Sequence, residues 1–184
     1  PAVTPSGLFA AVGFNPDGSF LTAGGDSGIL VWETDNGRVS TAQVHGKPMD
    51  WRYAIFSPVD GSLYFSGREG LFRRSVVRDN SGAPVFGERE QILHGFASGL
   101  QWCGSTLAVS GRFDDKRQPG VALLHADGSV RHLAADHAPD QIAASPDGRW
   151  LVGTRYPGSG GTLWDVSAPA STGRPVPSPS RASF

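Results

Sequence analysis

Three arginines occupy one position of a repeating pattern. When the apolar runs are aligned on Phe20, Leu63, Leu107 and Trp150, counting five residues forward gives Gly25, Arg68, Arg112 and Arg155. A guanidinium offers a planar fork of donors that grips a carboxylate or phosphate in two places. Arginines returning every 43 or 44 residues are therefore candidates for binding acidic groups on a partner. Trp51, Arg52 and Phe96, in the connections between repeats, are aromatic and cationic anchor candidates. The competing reading is intrachain, with Asp26, Glu69, Asp114 or Asp140 pairing with the arginines to stiffen loops.

Other reactive residues point less far. The adjacent acids Asp114-Asp115 read as a solvated loop tip, because successive side chains point apart and a general acid/base pair needs facing carboxylates in a cleft. His45, His94 and His137 are too far apart in sequence for a metal-ligand cluster, and the expectation for them is structural, each bonded to backbone or a hydroxyl at the edge of its repeat. Cys103 stands alone, with no surrounding motif for a nucleophile, and reads as a buried thiol. No nucleophile elbow, phosphate loop, zinc-protease helix or dinucleotide fingerprint is present. Arg73, Arg74 and Arg78 cluster without the aromatic series that single-stranded nucleic acid requires, so edge-strand solubility is their expected role. The expectation is thus no catalytic residue, no metal and no cofactor.

The elements that would position these residues follow from a unit repeated four times, about every 43 residues. A tight turn is followed by an apolar run, a loop and a second apolar run. The turns are Asn15-Pro16-Asp17-Gly18, Ser57-Pro58-Val59-Asp60-Gly61, Gly104-Ser105 and Ser145-Pro146-Asp147-Gly148. Pro fixes φ, Asp or Asn bonds back to the backbone, and Gly takes positive φ, so these sequences close hairpins. Strands are predicted before the turns at Leu8 to Phe14, Tyr53 to Phe56, Gly99 to Trp102 and Gln141 to Ala144. Fourth strands are predicted at Arg38 to Val44, Glu90 to Leu93 and Ser129 to Leu133, with none in the last repeat. Phe14, Trp32, Phe56, Trp102 and Trp164 are the expected buried aromatics. Small sheets at this period must stack on one another to bury their faces.

The turns together with Trp32-Glu33 and Trp164-Asp165 resemble the WD-repeat β-propellers, of bacterial type, across Phe9 to Asp165. The last repeat, Ala144 to Leu151, is also similar to the repeats of TolB-like and peptidase-associated propellers. The resemblance implies an all-β propeller of four-stranded antiparallel blades, about four of them, in an open or partial ring. It implies a lead-in over 1–7, blades at about 8–46, 47–95, 96–137 and 138–166, and a Pro/Ser-rich tail or linker over 167–184. It further implies that the loops after second strands share one face with the connections between blades, so that Arg68, Arg112 and Arg155 would form a rim with Met49, Trp51, Arg52, Phe96 and Asp140 under the long loop from Arg112 to Gly120. Also implied is a network of His, Ser or Thr, Asp and Trp in each blade. Asp26 with Trp32, His45 with Arg74 in the Trp place, His94 with Leu124, and His137 with Trp164 supply only parts of it, so both tryptophans are expected to pack first.

In function the resemblance implies a noncatalytic scaffold that binds protein or peptide. The alternative is the propeller part of a larger hydrolase, peptidase or kinase-linked enzyme, or a propeller hydrolase or lactonase. Composition agrees with a globular fold, since 184 residues carry 39% hydrophobic residues and a net charge of −1. Neither nucleic acid nor a membrane is called for by that balance, and no apolar run reaches membrane-spanning length. The single cysteine leaves the fold independent of oxidation and permits a reducing, cytoplasmic compartment. An open ring would leave the faces of its terminal blades uncovered and invite self-association.

Overall fold

The computed structural model describes residues 9–25, 28–42, 51–113, 118–155, 160–168 and 172–177. Among them no helix occurs, and every element is a strand. The first blade consists of β1 (Phe9–Phe14), β2 (Phe20–Gly25), β3 (Gly28–Glu33) and β4 (Val39–Ala42), side by side in chain order. The second has β5 (Trp51–Phe56), β6 (Leu63–Gly67) and β7 (Gly70–Arg74), followed by a small hairpin of β8 (Val76–Arg78) and β9 (Pro84–Phe86). Its fourth strand is the first part of the long β10 (Glu90–Cys103), which pairs with β7 from Glu90 to His94. The remainder of β10 opens the third blade, with β11 (Thr106–Phe113), β12 (Gln118–Leu124) and β13 (Val130–Ala134). The fourth comprises β14 (Gln141–Ala144), β15 (Trp150–Thr154), β16 (Gly161–Asp165) and β17 (Arg174–Val176). Among the described residues the fold is all-β, with four antiparallel blades of the kind found in a partial propeller and no closed ring.

Two differences from the sequence reading concern the edges. Arg174–Val176 pairs with β16 through Leu163 and Arg174, so the last blade has the fourth strand that the sequence reading replaced by a tail over 167–184. Three residues of low apolar content carry no period-2 signal, and only the neighbouring strand edge specifies them. The β8–β9 hairpin was also unforeseen, although Asp79-Asn80-Ser81-Gly82 is a turn sequence and Gly82 takes φ +82°.

The chain forms two compact units, 1–96 and 97–184. In each, one blade packs on the next through opposite faces, since alternate residues of a strand point to opposite sides. In the first unit the forward face of the first blade, with Phe20, Ile29 and Val31, meets the rear face of the second, with Ala54, Phe56, Leu63, Phe65 and Phe72. Phe20 stacks on Phe56 at 6.4 Å between centroids, and Arg78 lies 4.3 Å over the Phe20 ring. In the second unit the forward face of the third blade, with Cys103, Ala108, Val121, Leu123 and Leu133, meets the rear face of the fourth, with Ile142, Ala144, Leu151 and Trp164. Burying each such Leu or Phe side chain contributes about 1.5 to 3 kcal/mol.

This packing corrects the repeat alignment. Leu21, Leu63, Leu107 and Leu151 pair with Trp32, Arg74, Leu124 and Trp164. Those four leucines are the equivalent residues, whereas Phe20 and Trp150 belong to the opposite face. Arg68 and Arg112 follow their leucine by five positions, and Arg155 follows by four.

Burial of the aromatics also divides. Phe56 and Trp164 are buried, Trp32 and Trp102 are half-buried, and Phe14 is 63% exposed. Phe14 sits on the rear face of the first blade, opposite Leu21.

Candidate functional site

Arg112 lies on β11 opposite Pro119, and Arg155 directly follows β15. Both are in the second unit, at the end of the second strand of their blades, and both are exposed. Among the described residues no ion pair or hydrogen bond holds either guanidinium. Other arginines are tied down: Arg73 lies 2.6 Å from Asp60 and 3.9 Å from Glu90, Arg149 lies 3.1 Å from Asp165, and Arg38 lies 3.5 Å from Glu33. Arg131 donates to the backbone carbonyls of Val166 and Ala168. Arg68, after β6 in the first unit, is exposed and has an interaction of its own.

The residues expected beside the arginines are placed unevenly. Trp51 and Arg52 begin β5, and their side chains lie outside the described residues, as do Met49 and the presumed counter-ions Asp26 and Asp114. Phe96 is half-buried on β10. Asp140 is half-buried, engaged in an interaction, and its backbone N–H donates to Thr154 at 2.9 Å. Glu69 is exposed beside Arg68.

Two of the three histidines singled out in the sequence fall among the described residues. His45 lies outside the described residues. His94, on β10, and His137 are exposed, and among the described residues neither imidazole makes a hydrogen bond. His125 instead lies 3.3 Å from the Thr106 hydroxyl through Nδ1. The Trp164 indole N–H donates to the Ala134 carbonyl at 3.2 Å, and the ring is fully buried. Trp164 is therefore a packing residue. Burial pushes the Cys103 thiol up to about 11, which keeps it protonated and inert at neutral pH.

The first unit also holds a cleft of about 310 Å³, lined by Asn15, Asp17, Phe20, Val59, Val77 and Arg78. It opens where the first two Pro-containing turns lie side by side. Its only sequence signal was the pair of turns themselves. Among the described residues, no group of three or more His, Cys, Asp or Glu side chains is arranged to hold a metal ion, and no helix is long and apolar enough to cross a membrane.

Comparison with known proteins agrees with the fold. No protein-family description matches the sequence, and no curated protein does. Among solved structures the chain is similar to Sqt1 from Chaetomium thermophilum, at a TM-score of 0.64 and 16% identity over 89% of this chain. That alignment spans 44% of the Sqt1 chain, so this chain corresponds to less than half of the protein it resembles. At this identity the likeness carries the WD-repeat-like fold alone.

Proposed function

We propose that this chain is a noncatalytic binding module of WD-repeat type whose arginine positions receive acidic groups on a protein or peptide. The observation that carries the reading is a contrast within the chain. Arg73 and Arg149 are neutralised by carboxylates, whereas Arg112 and Arg155, at the ends of two second strands, meet no carboxylate among the described residues. An exposed guanidinium without a counter-ion retains its full donor set for a ligand. Arg68 is the corresponding residue of the second blade, and Trp51, Arg52 and Phe96 are proposed as neighbouring anchors.

The test uses a fluorescein-labelled peptide of glutamates and tyrosines and reads anisotropy. Arg112→Glu and Arg155→Glu should each weaken binding about tenfold or more, because a charge reversal replaces a bidentate contact with repulsion. Their melting temperatures should stay near that of the parent, since exposed charges contribute about 0 to 1 kcal/mol to stability. Unchanged affinity in both variants would refute the reading.

A further inference from the structure

The cleft beside the first two turns carries two opposite charges that form no ion pair with each other. Arg78, on β8, is held at two points. Its Nη1 donates to the Gly82 carbonyl at 2.9 Å, and its guanidinium lies 4.3 Å over the ring of the buried Phe20. Its Nε and Nη2 meet no acceptor among the described residues, and these two donors form an edge that can grip a carboxylate in two places. Asp17 stands in the turn after β1. Ser19 donates to its Oδ1 from the backbone N–H, at 2.8 Å, and from the hydroxyl. The hydroxyl bond first, then the N–H bond and least the charge of Arg78, hold this carboxyl below its ordinary value. It is therefore ionised at neutral pH, and its Oδ2 keeps the capacity to accept.

Apolar side chains share the lining with these charges. Val59 is 65% exposed and Val77 58%, and both line the cleft. Its volume of about 310 Å³ falls at the lower end of the range of small-ligand sites, about 300 to 1,000 Å³. A small molecule fits that space better than an extended chain. The lining also sorts ligands by charge. A simple anion on Arg78 would face Asp17, and a simple cation on Asp17 would face Arg78. An uncharged apolar molecule would strip water from both charges and give nothing back. A ligand that carries an anion, a cation and an apolar group together meets all three demands.

We propose that this cleft binds a free α-amino acid with an aliphatic side chain. The α-carboxylate bonds to Nε and Nη2 of Arg78, the α-ammonium to Oδ2 of Asp17, and the side chain lies against Val59 and Val77. A terminal residue of a peptide offers only one of the two backbone charges, so the free amino acid is the occupant. Because Arg78 is already held by Gly82 and Phe20, little of its freedom is lost on binding. The proposal goes beyond the peptide-binding reading and is independent of it, since the cleft lies in the first unit and Arg112 and Arg155 in the second.

Isothermal titration calorimetry of the 184-residue chain with L-leucine tests it, and a dissociation constant of about 1 mM or lower is expected for a ligand of this size. Leucinamide lacks the carboxylate, N-acetyl-L-leucine lacks the ammonium, and the amino acid glycine lacks the side chain. Each should bind about tenfold more weakly or worse, because one part of the cleft loses its partner. Arg78→Gln should remove the preference for L-leucine over leucinamide, and Asp17→Asn the preference over N-acetyl-L-leucine. Both substitutions should weaken L-leucine itself about tenfold or more. Far-UV circular dichroism checks folding, and the ligand series on the parent chain decides the matter even if a variant misfolds. No binding of L-leucine at about ten times the expected constant would overturn the proposal. So would equal affinity for the four ligands, or preferences that survive both substitutions. Equal binding of L-leucine and N-acetyl-L-leucine would assign the cleft to a peptide C-terminus and overturn it as well.

Discussion

A Cβ atom on Gly70 would sit 1.8 Å from the Leu93 carbonyl oxygen, and one on Gly120 would sit 2.3 Å from that of Leu133. Both contacts involve backbone of the adjacent fourth strand, which cannot swing aside as a flexible side chain can. Gly70 also has φ +139°, a region L side chains avoid. Gly70→Ala should therefore cost about 3 kcal/mol or more by urea unfolding, and a cost below about 1 kcal/mol would show that the second blade is not built this way. Trp164 depends on glycine differently. A Cβ on Gly153 would lie 3.0 Å from its Cζ3, and one on Gly173 would lie 2.7 Å from its Nε1, so two bare backbones make room for the indole. The sequence marked Trp164 through its Trp-Asp pair, yet it held no sign of Gly173, which lies in a stretch read as a tail. The arginine positions were visible from spacing alone. Their pairing states were not, because ion pairs depend on side chains distant in sequence.

At the scale of elements, the turns share a device beyond Pro and Gly. Asp-x-Ser recurs at Asp17, Asp60, Asp79, Asp127 and Asp165, and in each the serine N–H donates to the aspartate carboxylate at 2.8 to 3.1 Å. At Asp127 the Ser129 hydroxyl also donates, at 2.6 Å, and it is the main cause holding that carboxyl below its ordinary value. Asp17 and Asp79 are lowered in the same way by Ser19 and Ser81. A carboxyl lowered by folding stabilises the protein at any pH above its unfolded value of 3.8, and that stabilisation is lost as pH falls through the lowered folded value. Ser129→Ala removes the hydroxyl donor and raises the folded value of Asp127. The acid transition followed by circular dichroism should then begin at higher pH than in the parent, and superimposable acid curves would contradict this origin of turn stability. Hairpins were legible because turn chemistry is local. The strand at Arg174–Val176 was not, because its pairing with Leu163 is imposed by the sheet edge and leaves no periodic trace in three exposed residues.

At the scale of the whole molecule, repetition made the architecture readable, and its phase was misread by one residue in two blades. Sequence offers Phe20 and Trp150 as the first apolar residues after their turns, whereas packing selects Leu21 and Leu151. The error matters because one step along a strand moves a side chain to the other face. With the faces assigned, Trp32 and Trp164 hold the same position, each paired with the leucine at the start of the second strand, and differ in environment. Trp164 is sealed under the third blade, while Trp32 is half-buried on a face where Val12 and Phe14 remain exposed. The most direct test of stacking through opposite faces is therefore urea unfolding of Trp164→Ala and Trp32→Ala, each at concentrations where the chain is monomeric. Trp164→Ala should cost about 3 to 5 kcal/mol, as expected for a large aromatic removed from a sealed core, and Trp32→Ala no more than about half of that. Equal costs at the two positions, or a greater cost at Trp32, would contradict the account.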